Sequence, residues 1–168
     1  MVNLDVLKDK ILSGAALARN LAIWRFKDQK IVFTNGCFDI LHLGHIDYLA
    51  KAADLGHMLI IGLNTDASVS RIKGPQRPLQ DQESRAMVLA SLGFVSAVVL
   101  FDEETPYELI RQVQPDFLVK GADYKPEEII GYDIVKAKGG EVVTLEFLPG
   151  YSTTSIEQKI RNSAGNIK

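Results

Sequence analysis

Short apolar runs punctuate the chain at residues 31–34, 58–63, 97–101, 117–119 and 142–145. They hardly alternate with polar residues, as expected of strands buried on both faces. Between them lie stretches at residues 46–55, 67–72, 81–92, 106–113 and 127–138 with helical spacing of apolar positions. A last helix is predicted over 155–161, after a Pro149-Gly150 turn. Upstream, Leu4, Leu7, Ile11, Ala15, Ala18 and Ala22 share a helical spacing. They predict a leading helix over 3–24 that packs outside the main fold.

Strand and helix in regular alternation predict an α/β fold: a single Rossmann-like domain with a parallel sheet of about five strands. Right-handed crossovers then put helices on both faces, with the N-terminal helix added. Residues 1–28 are expected to form a helical extension and residues 29–168 the main domain. In such sheets a ligand binds beyond the carboxyl ends of the strands, at a topological switch point. Every polar cluster discussed below follows a strand-like run.

Composition narrows the ligand. A length of 168 residues suits one domain with a sizeable core. With 19 basic and 21 acidic side chains the net charge is −2, so nothing draws the whole surface to nucleic acid or membrane. Any phosphate must therefore be held by local groups. No apolar run reaches membrane-spanning length, and the start of the chain lacks a signal-peptide pattern. The single Cys37 excludes an intramolecular disulfide. A cytoplasmic location is expected.

Residues 34–45, Thr34-Asn-Gly-Cys-Phe-Asp-Ile-Leu-His-Leu-Gly-His45, carry the strongest chemical signal. A strand, a polar turn with Gly36 and a helix start direct unpaired N–H groups at one spot, an arrangement that binds anions. His42 and His45, three residues apart, face one ligand if the helix has begun there. Gly44 between them has no Cβ to hold a phosphate off the backbone. The pair could donate to a phosphate whose charge grows in a transition state. Its structural alternative is a helix cap or a core hydrogen bond. A zinc site from Cys37, Asp39, His42 and His45 is a third reading, disfavoured because four ligands would have to converge across the turn. His57 stands alone.

Three further clusters follow. Arg71, Lys73, Gly74, Pro75, Arg77, Pro78 and Arg85 make a stiffened basic connection that could close over a triphosphate, or simply be a solvated loop. The run Val119-Lys-Gly-Ala-Asp-Tyr124 offers a backbone approach at Gly121, with Lys120 and Asp123 beside it, or an ordinary glycine turn. Ser152, Thr153, Thr154 and Ser155 could cap the final helix or donate to phosphate oxygens from the same place.

These four clusters, in this order, resemble the HIGH-signature nucleotidyltransferases, over nearly the whole chain from Ile31 to Ile160. The runs Asn64-Thr-Asp-Ala-Ser, Arg71-Ile-Lys-Gly, Leu118-Val-Lys-Gly-Ala-Asp-Tyr-Lys-Pro-Glu-Glu-Ile and Gly139-Gly-Glu-Val narrow the resemblance. They look like those of the D-glycero-β-D-manno-heptose 1-phosphate adenylyltransferases, enzymes often fused to a sugar kinase. No kinase-sized region is present, so a stand-alone transferase is expected.

The resemblance implies transfer of AMP from ATP to the sugar 1-phosphate, giving ADP-heptose for lipopolysaccharide core and pyrophosphate. It makes His42, His45 and Lys73 catalytic. It gives Thr34, Asn35, Gly36, Cys37, Phe38, Gly44 and Arg85 to the nucleotide, with Lys120, Gly121 and Asp123 by the nucleoside. Ser152, Thr153 and Thr154 fall by the phosphates, and Asp39, Asn64 and Asp66 by the acceptor. Mg²⁺ is expected with ATP, no other metal, and a homo-oligomer, as a dimer. Three departures stand out. Ala122 replaces a common glycine, Ser155 replaces the usual asparagine or lysine, and no arginine precedes Ser152 as in cytidylyltransferases. That last absence disfavours CTP. The alternatives are a cytidylyltransferase acting on glycerol 3-phosphate or a similar polyol phosphate, and a non-catalytic nucleotide-binding module.

Overall fold

The structure, a computed structural model, describes residues 2–123 and 125–164. All five apolar runs are strands: β1 (Ile31–Gly36), β2 (Met58–Asn64), β3 (Val95–Phe101), β4 (Phe117–Gly121) and β5 (Glu141–Leu145). They form one parallel sheet in the order β3-β2-β1-β4-β5. The chain runs outward from β1 through β2 to β3, then returns to β4 on the other side of β1. The switch point therefore lies between β1 and β4.

Side-chain alternation along the strands builds two cores. Ile31, Phe33, Ile60, Val99 and Leu118 point to one face, where they meet Leu17 and Leu21 of α2 (Gly14–Phe26). Ile110 of α6 (Tyr107–Val113) and Val135 of α7 (Tyr132–Ala137) complete that layer. Val32, Leu59, Ile61, Leu63 and Val119 point to the other face. There they pack on Leu49 of α3 (Leu43–Ala53) and Leu89 of α5 (Gln82–Ala90). Helices thus cover both faces, as the unalternating runs require.

The leading segment differs from its expectation in three ways. It forms two helices, α1 (Asn3–Lys8) and α2, and not one. Between them the Leu12 N–H donates to the Val98 carbonyl and the Val98 N–H to that of Lys10. Residues 10–12 thus pair with β3 and cover the sheet's edge. Nor does the segment pack outside: Leu12, Leu17 and Leu21 belong to the core, while Ala15, Ala18 and Ala22 are exposed. The physical reason is area, since leucine buries far more apolar surface than alanine.

The predicted helix over 127–138 is likewise divided, into a 3₁₀ turn (Pro126–Glu128) and α7. The remaining elements are α4 (Asp66–Lys73) and α8 (Thr153–Ala164). Tyr124 lies outside the described residues. Among the described residues no helix is long and apolar enough to cross a membrane.

Candidate active site

The carboxyl ends of β1 and β4 open onto a cavity of about 340 Å³. From β1 and the turn beyond it come Asn35, Gly36, Cys37 and Phe38. His45 and Tyr48 reach it from α3, and Lys73 from the last turn of α4. Lys120, Gly121 and Asp123 come from the end of β4, and Phe147 from just beyond β5. Residues distant in sequence meet here because β1 and β4 are neighbours.

The turn after β1 is fixed by interactions of low exposure. Arg85 is 1% exposed, yet its guanidinium donates to the carbonyls of Gln80 (3.0 Å) and Cys37 (2.7 Å) and to Asp66 Oδ1 (2.7 Å). Asp39, also buried, accepts from the N–H groups of Leu79 and Gln80 at 2.8 and 3.0 Å and from Arg77 Nη1 at 2.7 Å. Burial opposes its ionisation, but those N–H groups and the Arg77 cation hold its carboxyl below the usual range. Arg77 also pairs with Glu157 on α8, tying the turn to the final helix. Arg71 pairs with Asp102 at 3.2 Å. Of the basic cluster, then, Arg71, Arg77 and Arg85 are committed to the scaffold. Arg71 and Lys73 end a helix and Arg85 lies within one, so the loop proper is only residues 74–81. Lys73 makes no ion pair among the described residues.

His42 is the N-cap position of α3 and His45 lies in its first turn. Their rings stack with centroids 3.9 Å apart and planes 21° from parallel. Both Nδ1 atoms are buried without a hydrogen-bond partner among the described residues. Such orphans cost about 1–3 kcal/mol each. Burial chiefly, then the neighbouring His42 and Lys73, lowers the His45 pKa to about 4, so its ring is neutral at pH 7. Burial lowers that of His42 as well. A Cβ at Gly44 would stand 3.1 Å from both His42 Nδ1 and Tyr151 Cβ. Glycine at 44 therefore eases the close approach of Tyr151, just before α8, to the start of α3.

The other walls are as polarised. Burial lowers the Lys120 pKa to about 8, against a smaller opposing pull from Cys37. The Cys37 thiol is raised by burial although Lys73 and Arg85 pull it down. The buried Asn35 Oδ1 has no hydrogen-bond partner among the described residues. Lys73 and Lys120 thus bring two cations to the cavity, as anionic oxygens require.

Several expected residues stand elsewhere. The Thr34 side chain is fully buried with its hydroxyl 2.8 Å from that of Tyr48. Asn64 Nδ2 donates to Ser68 Oγ at 3.0 Å, and Asp66 is the partner of Arg85. Ser152 Oγ accepts from the Ser155 N–H at 3.1 Å, the capping role, while Thr153 and Thr154 open α8. The zinc donor set does not converge, because the Asp39 carboxylate faces the 77–80 loop. Among the described residues no three metal-binding side chains gather. The cavity also takes in Tyr48 and Phe147, which the motifs do not contain; Tyr48 follows His45 by three residues on one helix face, a spacing visible in the sequence.

A larger cavity, about 710 Å³, lies between the start of α2, the end of β3 and α6. Its lining carries three carboxylates, Asp102, Glu103 and Glu108, against one cation, Arg111, a balance that disfavours a phosphate. Charge, not volume, picks the site.

The chain is 52% identical over 152 residues to the bifunctional protein HldE of Magnetococcus marinus, covering 90% of this chain and 31% of that protein. For the HldE of Wolinella succinogenes the identity is 54% over 156 residues, covering 93% and 32%. The chain thus spans about a third of the length of these curated relatives. Among solved structures, a lipopolysaccharide core biosynthesis protein from Thermoplasma volcanium superposes with a TM-score of 0.57 at 28% identity, over 71% of this chain and 97% of that one. Pantoate-beta-alanine ligase from Francisella tularensis shares the fold, with a TM-score of 0.55 at 17% identity, over 86% and 75%. The cytidylyltransferase-like family model matches residues 33–159, a span that takes in both histidines, Lys73, the end of β4 and the start of α8. To the cytidylyltransferase-like family, accordingly, this chain belongs.

Proposed function

We propose that the chain transfers AMP from ATP to D-glycero-β-D-manno-heptose 1-phosphate, forming ADP-heptose and releasing pyrophosphate. The observation that carries this reading is the stacked His42–His45 pair, with unpartnered Nδ1 atoms, next to a cavity flanked by Lys73 and Lys120. The acceptor phosphate is anionic near neutral pH and needs no strong base. Attack in line on the α-phosphorus then requires positioning and stabilisation of the leaving charge. Neutral histidines serve that purpose as hydrogen-bond donors, and Lys73 as an uncommitted cation. In this reading Lys120, Gly121 and Asp123, which line the cavity, serve the nucleoside.

Mg²⁺ bound with ATP would neutralise charge across the phosphate oxygens. The phosphates of ATP would hold most of that ion's coordination, because Asp39 is already engaged by Arg77 and two N–H groups and Asp123 stands on the nucleoside side. The choice of sugar is supported by the run from Lys120 to Glu127 and by the Thermoplasma volcanium neighbour described as a lipopolysaccharide core biosynthesis protein. A cytoplasmic location and a homodimer belong to the same proposal. Leu43, Leu79 and Ile160 are large, apolar and more than half exposed, on segments that Arg77 ties together. A monomeric mass by light scattering would contradict the dimer.

The test is direct. Incubated with ATP, Mg²⁺ and the heptose 1-phosphate, the protein should release pyrophosphate and yield a product with the mass of ADP-heptose. Tight ATP binding without pyrophosphate release would return it to a nucleotide-binding module.

A further inference from the structure

We propose that Phe147 is the base-recognition residue of the cavity, its ring forming the wall on which the nucleobase stacks. The inference rests on the nucleotide reading above and adds a specificity-determining side chain to it. Sheet order divides the cavity in two. His45 and Lys73 follow β1 and β2, whereas Gly121, Asp123 and Phe147 follow β4 and β5. The triphosphate belongs on the first side, where the histidines and the uncommitted cation stand. The second side carries an aromatic ring, Phe147, over bare backbone at Gly121.

Phe147 lies two residues beyond β5, and a Cβ placed on Gly121 would overlap its ring. The ring edge therefore rests against bare backbone, a fit that any other residue at 121 would displace. Its centroid is 5.6 Å from that of Tyr48, with planes 37° apart, so the two rings form one aromatic corner. Tyr48 is buried, but Phe147 remains 49% exposed while lining the cavity. Phe147 thus keeps about half of its surface uncovered, beside Lys120 and Asp123 in the cavity wall. A flat heteroaromatic base matches that corner, because stacking covers the ring while the polar neighbours meet the base edge.

Calorimetric titration with ATP and with inorganic tripolyphosphate separates base from phosphate binding. Phe147→Ala should raise the Kd for ATP roughly tenfold, the loss of one base–aromatic stack. Its Kd for tripolyphosphate should stay within about two-fold of the wild type. Phe147→Trp should restore ATP affinity. Phe147→Leu keeps apolar bulk without an aromatic face, and it should weaken ATP as the alanine variant does, even if the latter folds poorly. Equal losses for ATP and tripolyphosphate, or unchanged ATP affinity in both variants, would overturn the role of Phe147 and leave the nucleotide reading standing. A wild-type protein that binds tripolyphosphate as tightly as ATP would also overturn it. A wild-type protein that binds neither would overturn both readings.

Discussion

Burial sets the protonation of His45 before any ligand arrives. With a pKa lowered to about 4 from the ordinary 6.5, the folded chain leaves this ring neutral where the unfolded chain protonates it. Between those two values the unfolded state holds the extra proton, so stability should rise with pH across that window. His45→Gln should flatten the rise in urea midpoints measured from pH 4.5 to 6.5; an unchanged slope would mean that the ring is not desolvated. The same burial prepares a donor for charge that develops later. His45→Ala should lower kcat about 10²–10³-fold with a smaller change in the KM for ATP, the usual loss for such a donor. Near-normal turnover in that variant would make the imidazole a structural residue.

At the scale of elements, the 74–81 connection and α8 are held to the turn after β1 by Arg77, which bridges Asp39 and Glu157. Asp39 is almost wholly buried, so removing its cation leaves a desolvated charge. Arg77→Ala should cost about 3 kcal/mol, the low end for breaking a buried pair, because the Leu79 and Gln80 N–H groups remain. Urea denaturation would show it, and a loss under about 0.5 kcal/mol would class the pair with surface bridges. This bridge marks what sequence reading reached and what it did not. The five strands were legible because a doubly covered strand needs an unbroken apolar run. The histidine turn was legible because its residues are local. The partners of Arg77 were not, since they lie 38 and 80 positions away. Of that basic cluster, Arg71, Arg77 and Arg85 serve as struts, and Lys73 is the cation that lines the cavity. Phe147 escaped for a similar reason, as only the β4–β5 pairing brings it over Gly121.

For the whole molecule, a net charge of −2 means that no long-range field selects the substrate, and specificity rests on the few groups at the switch point. Choice of base and acceptor is therefore made by a few short-range contacts. Buried donors left unpaired by a wrong base cost about 1–3 kcal/mol each, so two such contacts give discrimination of roughly tenfold or more. The decisive measurement is kcat/KM for ATP and for CTP, each with heptose 1-phosphate and with glycerol 3-phosphate, at one Mg²⁺ concentration. The account predicts that ATP with heptose 1-phosphate leads by about tenfold or more. A lead for CTP with glycerol 3-phosphate would contradict it.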